Sequence, residues 1–361
     1  MSATRAAERP LIAERGATFG IDAFVVDFVW LGGWLVIAGG DGGLRFVDRA
    51  GIAGGPGSGP VTGQRAGPSA VMAHAGAILC AAEHPDADSV LTGGDDGRLV
   101  RTWPSGRSEE IAAFGSRWVE HVVSAKASRL IACAAGRKVH VLGAGGSAPT
   151  HAFSHPSTVA GLALDRKGRR LAASRYGGVS LCWPLAPGSP AQELPWRGSH
   201  LGVTWSPDGR FVVSTMQENA LHGWRIGDGA SMHMQGYPTK TRSLAWGQKG
   251  RWLATAGADR VVCWPFTGKS GPMDKQPVEL GPGGLLVTHV ACHPGEDAIA
   301  AGYADGSALL LRLADDRGAV VQVSTGTAIS ALRWSADGDA VAIGHEDGRV
   351  GVLPLSSTRA P

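Results

Sequence analysis

The 361-residue chain is 43% hydrophobic and only 18% charged, enough to bury a large core and too apolar for intrinsic disorder. Its 34 lysines and arginines against 31 aspartates and glutamates leave a net charge of +3, too near neutral to imply nucleic acid. The 54 glycines and 21 prolines are spread along the chain, as many short strands joined by many turns require.

The opening stretch MSATRAAERPLIAERG has no apolar run suited to a signal peptide, and no segment reaches the ~20 apolar residues that span a bilayer. The segment 11–18, LIAERGAT, is then expected as a strand with no partner nearby. From residue 19 onward one unit recurs, of which Val90 to Trp103 (VLTGGDDGRLVRTW) is the clearest copy. A β-branched run leads into Gly/Asp turn residues, and a second strand returns to an aromatic. The same hairpin recurs at 35–47, 130–142, 171–183, 211–224, 253–264, 298–313 and 341–355, eight copies in all. A Gly/Pro-rich insert at 50–66 and an extension from Thr267 to Gly284 lengthen two of the intervals.

A further strand precedes most hairpins, as at Leu201–Ser206 and Ile329–Trp334, followed by a turn such as Ser206-Pro207-Asp208-Gly209. We call it a, the hairpin strands b and c, and the strand after c d. A period near 40 with four strands per unit is the signature of a β-propeller blade. The chain reads as all-β, one domain over 1–361, with eight a-b-c sets across 19–355 but only seven internal d strands. The 11–18 segment is expected to supply the eighth and close an eight-bladed ring of four-stranded antiparallel blades; seven blades is the alternative. Cys80, Cys133, Cys182, Cys263 and Cys292 fall in strands with no CxxC pair, as small buried hydrophobes in a reducing cytoplasm do. Abundant Gly, Ala and Arg with few Lys suggests a GC-rich bacterial genome.

The period, the Gly/Asp turns, the Ser-Pro-Asp-Gly turn and the c-strand tryptophans resemble the WD40 repeat family over about residues 11 to 355. The resemblance implies a bracing set in each blade: a His before a, a Ser or Thr in b, an Asp in the b–c turn and a Trp in c. The second unit matches best, with His74, Thr92, Asp96 and Trp103. The fourth has His155, Ser174 and Trp183 without the Asp, and the sixth has Thr255, Asp259 and Trp264 without the His. Trp-Asp itself is absent; Trp-Pro stands at 103–104, 183–184 and 264–265.

No GxSxG or HExxH occurs, and the double-glycine turns lack the following helix a phosphate loop needs. Met232-His233-Met234 offers soft ligands, but alternation points the His away from both Met. The turn aspartates are read as caps. No catalytic, cofactor or metal residue is assigned, and no cofactor is expected. In the resembled family the d–a connections and b–c turns form one face where partners bind. There the expected partner face comprises Arg117, Trp118, Arg175, Tyr176, Trp196, Arg197, Tyr237, Lys240 and Arg242, with Arg137 and Lys138 beside them; aromatics and Arg dominate binding hot spots. The sequence thus points to a cytoplasmic, monomeric, non-catalytic scaffold for an unidentified protein partner, with no membrane. The alternatives are a metal- or small-ligand-binding propeller and a quinoprotein-type propeller enzyme, whose export signal and repeat signature this chain lacks.

Overall fold

The computed structural model describes residues 9–52, 70–146 and 148–355; most of the 50–66 insert lies outside them. Successive repeats fold into antiparallel sheets arranged as a closed propeller, each a strand lining the central channel. Four-stranded sheets start at Val25–Leu31, Ile78–Glu83, Val119–Ala125, Leu244–Gly247 and Val287–Cys292. The last is built on Ile329–Trp334, Ala340–His345 and Arg349–Pro354. Its fourth strand is Ala17–Gly20, which pairs antiparallel with Arg349–Pro354, Thr18 opposite Gly351. The chain ends therefore close the ring, although Leu11–Arg15 is a short helix and not part of the strand expected over 11–18. Its Ile12 packs against Val321 and Leu353.

The expected eight separate blades do not form and the alternative of seven holds: among the described residues the ring has six four-stranded sheets and one six-stranded sheet, seven in all. The cause lies in the fourth and fifth repeats. Leu171–Cys182 runs through both b and c of the fourth, and Gln192–Trp205 runs from d of the fourth into a of the fifth. The first half of Gln192–Trp205 pairs with the fourth repeat (Glu193 opposite Ser180) and the second half with the fifth (Thr204 opposite Val213). Leu171–Cys182 turns sharply on itself. Arg175 Nε reaches Ser180 Oγ at 3.1 Å, although five residues of extended chain span about 16 Å. Two repeats thus share one continuous sheet.

The recurring turn glycines have a steric reason. Gly42, Gly97 and Gly348 end b–c turns with φ of +84°, +76° and +87°. A Cβ there would collide with backbone carbonyls of the neighbouring d–a connection, those of His74, Gly115 and Ile21 respectively. Their own carbonyls accept bonds from that connection, as Phe114 N to Gly97 O at 2.8 Å. The b–c turns and d–a connections are thereby locked into one face. Between sheets the core is aliphatic; Leu91, Leu99, Ile111, Val122, Ile131 and Leu142 form one such layer. Tryptophans of the a strands tie neighbours together: the indole N–H of Trp205 donates to Ala163 O (3.2 Å), that of Trp246 to Thr204 Oγ1 (3.0 Å) and that of Trp334 to Ala291 O (2.9 Å). No helix is long and apolar enough to cross a membrane among the described residues.

Candidate interaction face

The second repeat builds the bracing set that holds this face. His74 Nδ1 donates to Asp96 Oδ1 (2.9 Å), its Nε2 meets Thr92 Oγ1 (2.9 Å), and the Ala75 amide donates to Asp96 Oδ2 (3.1 Å). Trp103 is not in the set. Thr92 pairs with Val100, so a side chain two residues on, Thr102, shares its side of the sheet, and Trp103 takes the other. Its indole donates instead to Asp88 Oδ2 at 3.1 Å.

Tyr237 is corrected the other way. Expected on the partner face, it is buried and takes the bracing histidine's place in the sixth repeat. Trp264 Nε1 donates to Tyr237 Oη (2.7 Å), the phenol donates to Thr255 Oγ1 (2.7 Å), and Thr255 donates to Val262 O (3.0 Å). Burial pushes the phenol up to about 12. The signal was present: Tyr237 precedes Thr255 by 18 residues, as His74 precedes Thr92. In the fifth repeat His200 Nδ1 meets Ser214 Oγ at 2.7 Å. The fourth has no such set, because Ser174 donates to Leu201 O and His155 Nε2 has no partner among the described residues.

Of the other expected face residues, Trp118 is 55% and Tyr176 70% exposed, and Arg117 and Arg197 are exposed. Arg175 is consumed by an ion pair with Glu193. Trp196 is half-buried, its ring stacked on His222 at 3.8 Å between centroids. Lys240 and Arg242 stand at the channel mouth, lining a recess of about 650 Å³ with Phe24, His289 and Glu346. It meets a second, about 500 Å³, at His289 and Ser330. Three exposed apolar residues of d–a connections, Phe24, Leu285 and Val323, join Trp118 and Tyr176 on this face. The sequence reading missed them because single apolar residues in loops carry no periodic signal.

The near-neutral total conceals a strong charge asymmetry. Residues 114–284, about half the ring, hold 20 lysines and arginines against 9 aspartates and glutamates, net +11. The remainder holds 14 against 22, net −8. On the basic arc of this face Arg117, Arg137, Lys138, Arg197, Lys240 and Arg242 have no carboxylate within 4.0 Å among the described residues. The turn aspartates of the opposite arc are engaged in caps and pairs: Asp41 with Arg45 and Asp347 with Arg349.

Among the described residues no three His, Cys, Asp or Glu side chains gather as metal ligands. Met232 and Met234 are buried while His233 points outward. The five cysteines are unpaired thiols, and burial pushes each well above its usual range, to about 12 for Cys133, Cys182 and Cys292, which leaves them unreactive. His84 and His293 of the His-Pro turns bond Ala144 O and Gly338 O at 3.1 Å each, a structural use.

Two family descriptions match the chain: "WD domain, G-beta repeat" at residues 68–100 and 231–264, and "Anaphase-promoting complex subunit 4 WD40 domain" at 290–360. A WD repeat-containing protein 26 homolog of Arabidopsis thaliana is 26% identical over 122 residues, covering 32% of this chain and 21% of that protein. A chromatin assembly factor 1 subunit FAS2 homolog of Oryza sativa subsp. japonica is 27% identical over 118 residues, covering 30% and 23%. The chain thus spans under a quarter of the length of these relatives. The crystal structure of the computationally designed Ika8 protein superposes with a TM-score of 0.73 at 16% identity, over 94% of this chain and 99% of that one, a likeness of fold alone.

Proposed function

The chain is a WD40-repeat β-propeller, and on that premise we propose that it is a non-catalytic scaffold receiving a protein partner on the basic arc of its b–c and d–a face. One observation carries this reading: unpaired cations stand there beside aromatics, Arg117 next to the exposed Trp118 and Arg197 next to the half-buried Trp196. A guanidinium without a local carboxylate is free for a partner's acidic group. Exposed rings supply apolar area at low entropic cost. The partial relatives support an interaction role by name, one being a subunit of an assembly factor. The reading includes a monomeric, cytoplasmic chain without enzymatic activity.

Affinity capture from the native host, wild type against the Trp118→Ala/Arg197→Ala double variant, tests it. A partner held by the wild type and lost by the folded variant is the expected result. Equal capture by both overturns the assignment of the face, and capture by the wild type of no protein overturns the scaffold reading.

A further inference from the structure

The face opposite the partner face carries a second feature, built by the Thr267 extension. The c–d connection of the sixth repeat lies against the turns of the fifth and borders an open recess of about 630 Å³, within the usual size of a small-ligand pocket. Four cations line it, Arg170, Arg210, Arg225 and Lys269, with Asp228 the one acidic lining residue. The walls are held in place before any ligand arrives. Arg210 Nη1 donates to Gly268 O and Arg225 Nη1 to Lys269 O, 3.1 Å each. Lys275 Nζ staples the loop from inside through Gly271 O at 2.8 Å.

Each arginine keeps a counter-carboxylate on one edge, Asp165, Asp208 and Asp228 respectively. That leaves specific donors unused. Arg170 spends its Nε on Asp165 at 2.8 Å and lies 4.3 Å over the Trp205 ring. Neither of its Nη atoms has an acceptor among the described residues, although only 28% of the side chain is exposed. Gly209, at φ +69°, lies against that guanidinium, and a Cβ there would collide with Nη2. The Nη2 of Arg210 and the ammonium of Lys269 are likewise unengaged among the described residues. Arg166, Lys167 and Arg169, in the same turn as Arg170, add further charge without carboxylates within 4.0 Å among the described residues. A planar fork with free Nη donors, a point charge and a preformed wall suit an oxyanion bearing several negative charges.

We propose that this recess binds a multiply charged phosphorylated small molecule, its phosphoryl oxygens accepting from Arg170 Nη, Arg210 Nη2 and Lys269 Nζ. The site is independent of the partner face. Calorimetric titration with sodium pyrophosphate and with ATP at about 0.15 M salt tests it, alongside sedimentation with phosphatidylcholine vesicles with and without phosphatidylinositol 4-phosphate. Saturable one-to-one binding is expected, weakened about tenfold or more by Lys269→Glu and by Arg210→Gln. Both side chains are exposed, and an unchanged unfolding midpoint in each variant confirms that a loss of affinity is not a loss of fold. Arg117→Glu, on the other face, should change nothing. Vesicle binding with the same variant sensitivity, without binding of free phosphates, assigns the same site to a lipid headgroup. Absence of saturable binding in every arm overturns the proposal, as does unchanged affinity in Lys269→Glu and Arg210→Gln. So does binding confined to a single-stranded oligonucleotide in a parallel titration.

Discussion

The second and sixth repeats solve one mechanical problem with different chemistry. Both fasten the connection before strand a to a threonine in strand b, 18 residues away. The second uses an imidazole and a carboxylate, His74 and Asp96. The sixth uses neutral groups only, a chain of donors running from Trp264 through Tyr237 and Thr255 to the Val262 carbonyl. Where the brace is built, position sets it, and different side chains of the right reach with a donor and an acceptor can supply it. The two versions differ in what breaks them: packing and a phenol hydroxyl in one, a proton in the other.

The largest effect is expected at Trp264. It is buried against Phe211, Leu253 and Phe266 besides its bond to Tyr237. Trp264→Ala should cost about 3–5 kcal/mol, measured by denaturant unfolding. A cost under about 1 kcal/mol would show that the neutral brace bears no packing.

Acid sharpens the contrast through the fifth repeat, which braces with His200 and buries His222 beside it. Burial, then the nearby His233 and His200, lowers His222 to about 3, and neither ring nitrogen has a partner among the described residues. The sign follows from the proton inventory. Between pH 6.5 and about 3 the unfolded chain holds a proton on this imidazole and the folded chain does not, so stability falls as pH falls. The slope from this one group approaches about 1.4 kcal/mol per pH unit. His222→Phe should flatten the acid limb of a stability–pH curve; an unchanged limb would assign it to other groups.

Next come the braces themselves. Tyr237→Phe strands the Trp264 indole and should cost about 1–3 kcal/mol, equally at pH 4 and pH 7, since the phenol titrates near 12. Asp96 behaves differently. Burial alone would raise its carboxyl, but bonds from His74 and the Ala75 and Arg98 amides outweigh that and hold it below its ordinary 3.8. Its contribution is present above that value and lost as pH falls through the folded one, so Asp96→Asn destabilises at pH 7 and little in strong acid. Amide exchange resolved by repeat should show the second opening before the sixth on acidification. Simultaneous opening would mean the ring unfolds as one unit and masks the difference.

How much of this was legible depended on which rule a residue obeyed. The repeats, their strands and closure by the N-terminal segment followed from period and turn chemistry, because Gly and Asp turns recur where a Cβ would strike the neighbouring connection. The merging of the fourth and fifth repeats was not legible, since strand continuity from Gln192 to Trp205 depends on backbone pairing with both neighbours. Lys240 and Arg242, expected only as members of the partner face, line one recess at the channel mouth. Tyr237 was misread because residue type was weighed over the 18-residue spacing that placed it. The charge asymmetry was in the sequence throughout, hidden by summing over a closed ring.

Trp103 shows the same error from the other side and carries the smallest prediction. By type it is the bracing tryptophan, but parity decides. In the sixth repeat Thr255 pairs with Val262, and Trp264 is two residues on; in the second, Thr92 pairs with Val100, and Trp103 is three on. An odd step turns a side chain to the other surface of a strand. There Trp103 lies half-buried with Arg101 and Arg107 each 4.5 Å from its ring. Cation–π contacts near solvent contribute about 0.5–1 kcal/mol each, and a bond to an exposed carboxylate adds little. Trp103→Ala should therefore cost about 1–2 kcal/mol, well short of Trp264→Ala, and part of that cost should disappear in high salt, because its partners are charged. A salt-independent loss as large as that of Trp264 would place Trp103 in the packed brace after all, and the parity argument would fall with it.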